Sequence, residues 1–170
     1  MGNLATPEEL IVRWNEALRD PSLQDLPYKI EINAWGKLEM SPASNRHGRL
    51  QMEIGSELKR QLSTGVAISE CSILTRIGIR VPDVVWASAD FMQAFGEITP
   101  YQRAPEICVE IISRSNTQAE IDDKMAAYLA AGAREVWLVS EEGNIRYFGS
   151  EGELSKSDFA ISITLPPPMK

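Results

Sequence analysis

The sequence predicts an α/β (α+β) fold in which helices flank a mixed central sheet, preceded by an N-terminal helix and a hairpin. Three observations lead there. Apolar residues recur at helical spacing in three main segments, and the stretches between them follow the two-residue or continuous pattern of strands. The resulting order is helix, hairpin, helix, several strands, helix, strands, which suits a sheet with helices packed against it. The length, 170 residues with 44% hydrophobic and 24% charged, supports one globular domain over residues 1–170 and is short for two.

Each element has a local reason. Thr6-Pro7-Glu8-Glu9 reads as a capping box with proline at the first helical position, and Leu10, Trp14, Ala17 and Leu18 continue the helix to Pro21. From Tyr28 the period becomes two, with Tyr28, Ile30 and Ile32 on one face and Lys29 and Glu31 on the other. After Gly36 a second short run follows, giving a hairpin. A helix over residues 44–63 carries the stripe His47, Leu50, Ile54, Leu58 and Leu62. Residues 66–86 are rich in β-branched side chains and predict two or three strands with a turn at Gly78, the last strand over 82–86. A short helix is expected at 90–95, and residues 107–112 read as a strand buried on both faces.

Thr117-Gln118-Ala119-Glu120 is a second capping box, opening a helix with Ile121, Met125, Tyr128 and Leu129 on one side and Gly132 as its stop. Residues 135–139 form another buried strand, and 142–144 turn it into a strand over 145–148. The remainder, 149–170, holds a last expected strand at 161–165 and the tail Pro166-Pro167-Pro168.

Composition excludes several classes of function. A net charge of −7 and a sequence pI near 4.8 argue against a generally cationic binder of nucleic acid or of anionic membranes. A local basic groove built from Arg46, Arg49, Arg76, Arg80, Arg103 and Arg114 stays open, as does a scatter of surface charges. The longest apolar runs, around Val84 and Ile111, have strand length, so no membrane span is expected, and the first residues lack the pattern of a secretory signal. Cytoplasm is the default location. Cys71 and Cys108 lack metal or redox spacing and read as buried hydrophobes.

Two carboxylates stand out against their surroundings. Glu110 interrupts the apolar run Ile107-Cys108-Val109-Glu110-Ile111-Ile112, and Asp83 opens Val84-Val85-Trp86 directly after Pro82. An unpaired buried charge costs several kcal/mol, roughly, so each needs a cation, a metal ion or a proton. Placed on neighbouring strands the two would converge, with Glu31 of the hairpin as a third oxygen donor, a set suited to Mg2+ or Mn2+ rather than zinc. The alternative for each is a structural ion pair or an edge position reaching solvent. Lys124 lies on one helical line with Glu120, Tyr128 and Gly132, where the plain reading is a solvated Glu–Lys pair. For His47, a buried or capping role outweighs that of ligand or base.

Together, Glu31, Arg46-His47, the strand Val81-Pro82-Asp83-Val84-Val85, the run Pro105-Glu106-Ile107-Cys108-Val109-Glu110-Ile111-Ile112-Ser113, Lys124, Tyr128, Gly132 and Glu135-Val136-Trp137-Leu138-Val139 resemble one family. It is the Uma-two family of restriction endonuclease-like proteins, and the likeness runs over about residues 6–148. Two departures are Arg114, where the family usually has proline, and Gly132-Ala133-Arg134 in place of Gly-Val-Pro.

The resemblance places the chain in a branch of the PD-(D/E)XK nuclease superfamily. It implies Asp83 and Glu110 as catalytic metal ligands, Glu31 as an additional acidic ligand and the Ile111 carbonyl as a backbone donor. Lys124 is implied as the catalytic lysine, because the position two residues after the glutamate is Ile112. His47 would contact phosphate or hold its helix. The implied activity is Mg2+- or Mn2+-dependent hydrolysis of DNA phosphodiester bonds by a homodimer, with Trp35 and Phe91 as spare apolar surface. The rival is a catalytically inactive nuclease fold kept as a binding or assembly module, favoured by the acidic balance and the missing local lysine.

Overall fold

Helix α1 (Pro7–Arg19) opens the chain in the computed structural model, which describes residues 2–170, and Thr6 and Glu9 form the expected reciprocal cap. A 3-10 turn (Pro21–Leu23) leads into the hairpin of β1 (Tyr28–Asn33) and β2 (Leu38–Pro42). Then come α2 (Asn45–Gln61), β3 (Val66–Ser69), β4 (Ile73–Thr75), β5 (Gly78–Arg80), β6 (Val84–Ala87) and α3 (Ala89–Phe95). The chain continues through β7 (Ile107–Ile111), α4 (Gln118–Ala130), β8 (Glu135–Val139), β9 (Ile145–Gly149) and β10 (Gly152–Leu154).

The strands sort into a four-stranded sheet ordered β2-β1-β5-β4 and a six-stranded sheet ordered β10-β9-β8-β7-β6-β3. In the larger sheet only β7 and β8 run parallel, and α4 is the crossover between them. Alternation along β6, β7 and β8 divides the interior. Val84, Trp86, Ile107, Val109, Ile111, Trp137 and Val139 meet Leu50, Ile54 and Leu58 of α2, while Val85, Ala87, Cys108, Val136 and Leu138 face Tyr128 of α4. Each fully buried aliphatic of the α2 stripe contributes roughly 1.5–3 kcal/mol. Glu110 shares the parity of Cys108, so the sheet's two-residue period directs it toward α4. A third cluster joins Leu10 and Trp14 of α1 to Ile32, Ile79 and Val81 beside the smaller sheet.

Several expectations need correction. Residues 66–86 form four strands in two sheets, and Gly78 starts β5 at φ +112, where a Cβ would lie 2.0 Å from the Ile32 carbonyl oxygen. Only glycine allows β5 to meet β1 there. Residues 161–165 form no strand: the Gln61 side-chain amide donates to the Ser162 carbonyl (2.8 Å) and accepts from its N–H (3.0 Å), taking the place of a strand neighbour. The unforeseen strand is β10. Phe91 is buried against Phe95 and Tyr101 and presents no surface to a second copy, whereas Trp35 is 56% exposed. Both cysteines are buried and free, and burial pushes the Cys71 thiol up to about 12. Among the described residues, no helix is long and apolar enough to cross a membrane.

Candidate active site

Asp83 and Glu110 meet where the β6–β7 ladder ends. The Asp83 N–H donates to the Val109 carbonyl (2.9 Å), and its side chain then takes over from the backbone: Oδ2 accepts the Ile111 N–H at 2.7 Å. Its other oxygen, Oδ1, lies 2.9 Å from Lys29 Nζ and 3.0 Å from His47 Nε2. Glu110 accepts the Tyr128 hydroxyl on Oε1 at 2.6 Å. Lys124 Nζ stands 3.6 Å from that oxygen, and Lys29 Nζ lies 3.7 Å from Oε2. One ammonium therefore faces both carboxylates, and a second stands on the far side of Glu110.

Glu31 is bound differently. Oε1 accepts the Val81 N–H (2.8 Å) and Lys124 (3.1 Å), while Oε2 takes Lys124 at 2.9 Å and Arg80 at 3.4 Å. Arg80 also reaches Glu39 at 2.5 Å. Glu31 is linked to Glu110 through Lys124, and it is buried, although alternation in the hairpin placed it on a polar face.

Burial and pairing pull these groups in opposite directions. Burial pushes Asp83 up, but the His47 hydrogen bond, the Lys29 charge and the Ile111 N–H outweigh it and hold the carboxyl at about 2. Glu31 is likewise raised by burial and lowered further by Lys124, Lys29 and Val81, ending below its ordinary value. For Glu110 burial wins and its pKa rises, despite the two lysines. The Asp83 hydrogen bond raises His47. Burial opposes the charge of Lys29, yet Glu110 and Asp83 more than restore it and its pKa rises.

Two hollows of about 330 Å³ and 680 Å³ meet over Glu110, Ile111 and Lys124. The larger is lined by Tyr28, Lys29, Ser44, His47 and Asp83, and the smaller by Trp35, Arg80, Glu120 and Asp123. Four of the six arginines that could have built a basic groove are engaged with carbonyls or carboxylates. Arg46 donates to the carbonyls of Glu141 and Pro166 and ties down the tail, Arg80 serves Glu31 and Glu39, and Arg49 and Arg114 pair with Glu53 and Glu141.

The structure thus gathers Glu31, His47, Asp83, Glu110, Ile111 and Lys124 around one groove. Lys124 does not pair with Glu120, which instead caps its own helix through Thr117. His47, read as a core or capping residue, reaches Asp83. Two participants carried no assigned role from sequence. Lys29 looked like a routine polar residue of a hairpin, and Tyr128 like helix core; the signal for Tyr128 was its place one helical turn after Lys124.

Among the described residues, no three His, Cys, Asp or Glu side chains form a ready-made metal cage. The donor chemistry nonetheless fits a divalent ion. Asp83 Oδ1 and Glu110 Oε2 already face a single cation, the Lys29 ammonium. An extended residue sends its N–H and C=O to the same strand edge, so the Ile111 carbonyl lies on the edge whose N–H is bound to Asp83. Mg2+ characteristically uses one or two carboxylates and completes its shell with water and substrate phosphate.

The mixed sheet flanked by helices, with Asp83 and Glu110 at the end of neighbouring strands and Lys124 on the crossover helix, matches the restriction endonuclease-like architecture that the family resemblance implies. The Uma2 family model, described as "Putative restriction endonuclease", matches residues 14–161, and the chain belongs to this family. It is also similar to the crystal structure of "a putative nuclease belonging to DUF820" from Anabaena variabilis ATCC 29413, with a TM-score of 0.63, 19% identity and 88% of each chain covered. At that identity the likeness shows the fold alone. No curated protein matches the chain.

Proposed function

We propose that this protein is a divalent-metal-dependent endonuclease that hydrolyses DNA phosphodiester bonds, with Mg2+ or Mn2+ held by Asp83, Glu110 and the Ile111 carbonyl. The observation that carries this reading is the convergence of one oxygen from each carboxylate on a single cation at the floor of the groove. When bound, a divalent ion supplies Lewis acidity, activating water and offsetting charge on the phosphate.

The chain's own residues do the rest. Lys124 lies where the two hollows join and places positive charge beside the developing oxyanion, and Glu31, gripping it with both oxygens, fixes its position. In this account Glu31 acts through Lys124 rather than as a ligand. Tyr128 orients Glu110, and His47 orients Asp83. Ser44, Ser113, Ser115 and Asn116 offer neutral donors along the larger hollow for phosphate oxygens. The exposed Trp35 supports pairing of two copies, which sedimentation checks: a single species of 18.9 kDa at micromolar concentration would refute it.

The test is cleavage of a pool of linear, supercoiled and single-stranded DNA with Mg2+ or Mn2+, beside folded Asp83→Ala, Glu110→Ala and Lys124→Ala proteins. Cleavage by wild type only is expected; equal cleavage by Asp83→Ala would overturn the site. One observation favours a second reading, a nuclease fold that binds without turnover: Lys29, Lys124 and Arg80 are all paired with carboxylates in a chain of net charge −7. Metal and DNA binding by wild type without cleavage would establish it.

A further inference from the structure

Lys29 stands between the two carboxylates that the proposed function gives to a metal ion. Its ammonium is 2.9 Å from Asp83 Oδ1 and 3.7 Å from Glu110 Oε2, and it donates to the Val81 carbonyl at 3.1 Å. No other cation touches both carboxylates among the described residues. Lys124 reaches Glu110 at 3.6 Å but is gripped by both oxygens of Glu31.

Charge opposes joint occupancy. A divalent ion added beside Lys29 would set three positive charges against the two carboxylates, with the ammonium and the ion only a few ångströms apart in a partly desolvated site. Lys29 also has a way out. It begins in β1, its side chain is 13% exposed, and it lines the 680 Å³ hollow, so its flexible stem can swing the ammonium into that space without disturbing the core.

We propose that Lys29 is a built-in competitor for the divalent ion, holding Asp83 and Glu110 together until a metal displaces its ammonium into the larger hollow. The inference rests on the metal reading given above. It makes Lys29, the one lysine among the described residues that touches both carboxylates, a residue that sets metal affinity.

Two measurements decide it. Calorimetric titration of MnCl2 into metal-stripped wild type, Lys29→Gln and Lys59→Gln compares loss of the internal ammonium with loss of one exposed charge on α2. The Mn2+ dissociation constant should fall about tenfold or more in Lys29→Gln and less than about twofold in Lys59→Gln. Affinity in Lys29→Gln no greater than in Lys59→Gln would overturn the inference and leave the metal site standing. Absence of Mn2+ binding in wild type and in Lys29→Gln alike would remove the metal reading and the inference with it. The second measurement needs no variant: amine-directed methylation of wild type read by mass spectrometry, where Mg2+ should speed labelling of Lys29 and leave Lys59 unchanged. Slower or unchanged labelling of Lys29 in saturating Mg2+ would also overturn it.

Discussion

Strands β7 and β8 each carry an inward-facing glutamate, Glu135 fully buried and Glu110 partly exposed, and the two are handled in opposite ways. Glu135, at the start of β8, accepts the Trp137 indole N–H (2.7 Å), the Ser157 hydroxyl (2.7 Å) and the Asp158 N–H (2.7 Å). Its donors are neutral and come from its own strand and the C-terminal segment, so it fastens that segment to the sheet. Glu110, near the opposite end of the adjoining parallel strand, faces two lysines from β1 and α4, one tyrosine and two open hollows. Burial of a carboxylate is thus not what marks a site here. Cations from separate elements, with space beside them, are what distinguish Glu110.

The largest effect that would sharpen this contrast lies at Asp83. Asp83→Asn keeps the shape of the side chain but removes half of the charge pair, and metal-dependent DNA cleavage should fall about 10³-fold while the circular dichroism spectrum is unchanged. Glu135→Ala should do the reverse. It strands three donors, an indole, a hydroxyl and an amide, and should cost about 3 kcal/mol in denaturant unfolding with Mn2+ affinity unchanged. A Glu135 variant that kept its stability and lost metal would break the comparison. Tyr128→Phe removes a single neutral donor from Glu110 and should cost about 1 kcal/mol of stability, with a few-fold loss of Mn2+ affinity by calorimetry.

The smallest effect concerns pH in metal-free buffer. The hydrogen bond to Asp83 raises the pKa of His47 above its usual value of about 6.5, so folding favours the charged imidazole. Its contribution is complete below about pH 6.5 and is lost as pH rises through the raised folded value. His47→Gln should flatten that part of the stability profile, measured as denaturation midpoints between about pH 6 and about pH 8.5.

The same contrast explains what the sequence made legible. Asp83 and Glu110 were visible because each is a charge inside an apolar run, and the capping boxes at Thr6 and Thr117 located two helices closely. Lys29 was hidden because a lysine alternating with apolar residues is what any half-exposed hairpin shows; only the pairing of β1 with β5 turns it toward Asp83. Tyr128 satisfies the apolar pattern of α4 with its ring while its hydroxyl serves Glu110, and a one-dimensional pattern does not separate the two. At 161–165 the alternation of Ile161, Ile163 and Leu165 is real, but a side-chain amide of α2 supplies the hydrogen bonds that a strand would have given. Periodicity reports which residues face a core; it does not report which group satisfies the backbone.

The most direct test of the central claim is a crystal of this protein soaked in MnCl2 with diffraction collected at the manganese absorption edge. The account predicts an anomalous peak within coordination distance of Asp83 and Glu110, bordered by the Ile111 carbonyl, with the Lys29 ammonium withdrawn from Asp83. An unshifted Lys29 bridging the two carboxylates in a crystal without a peak there, or a peak on Glu31 in its place, would contradict it.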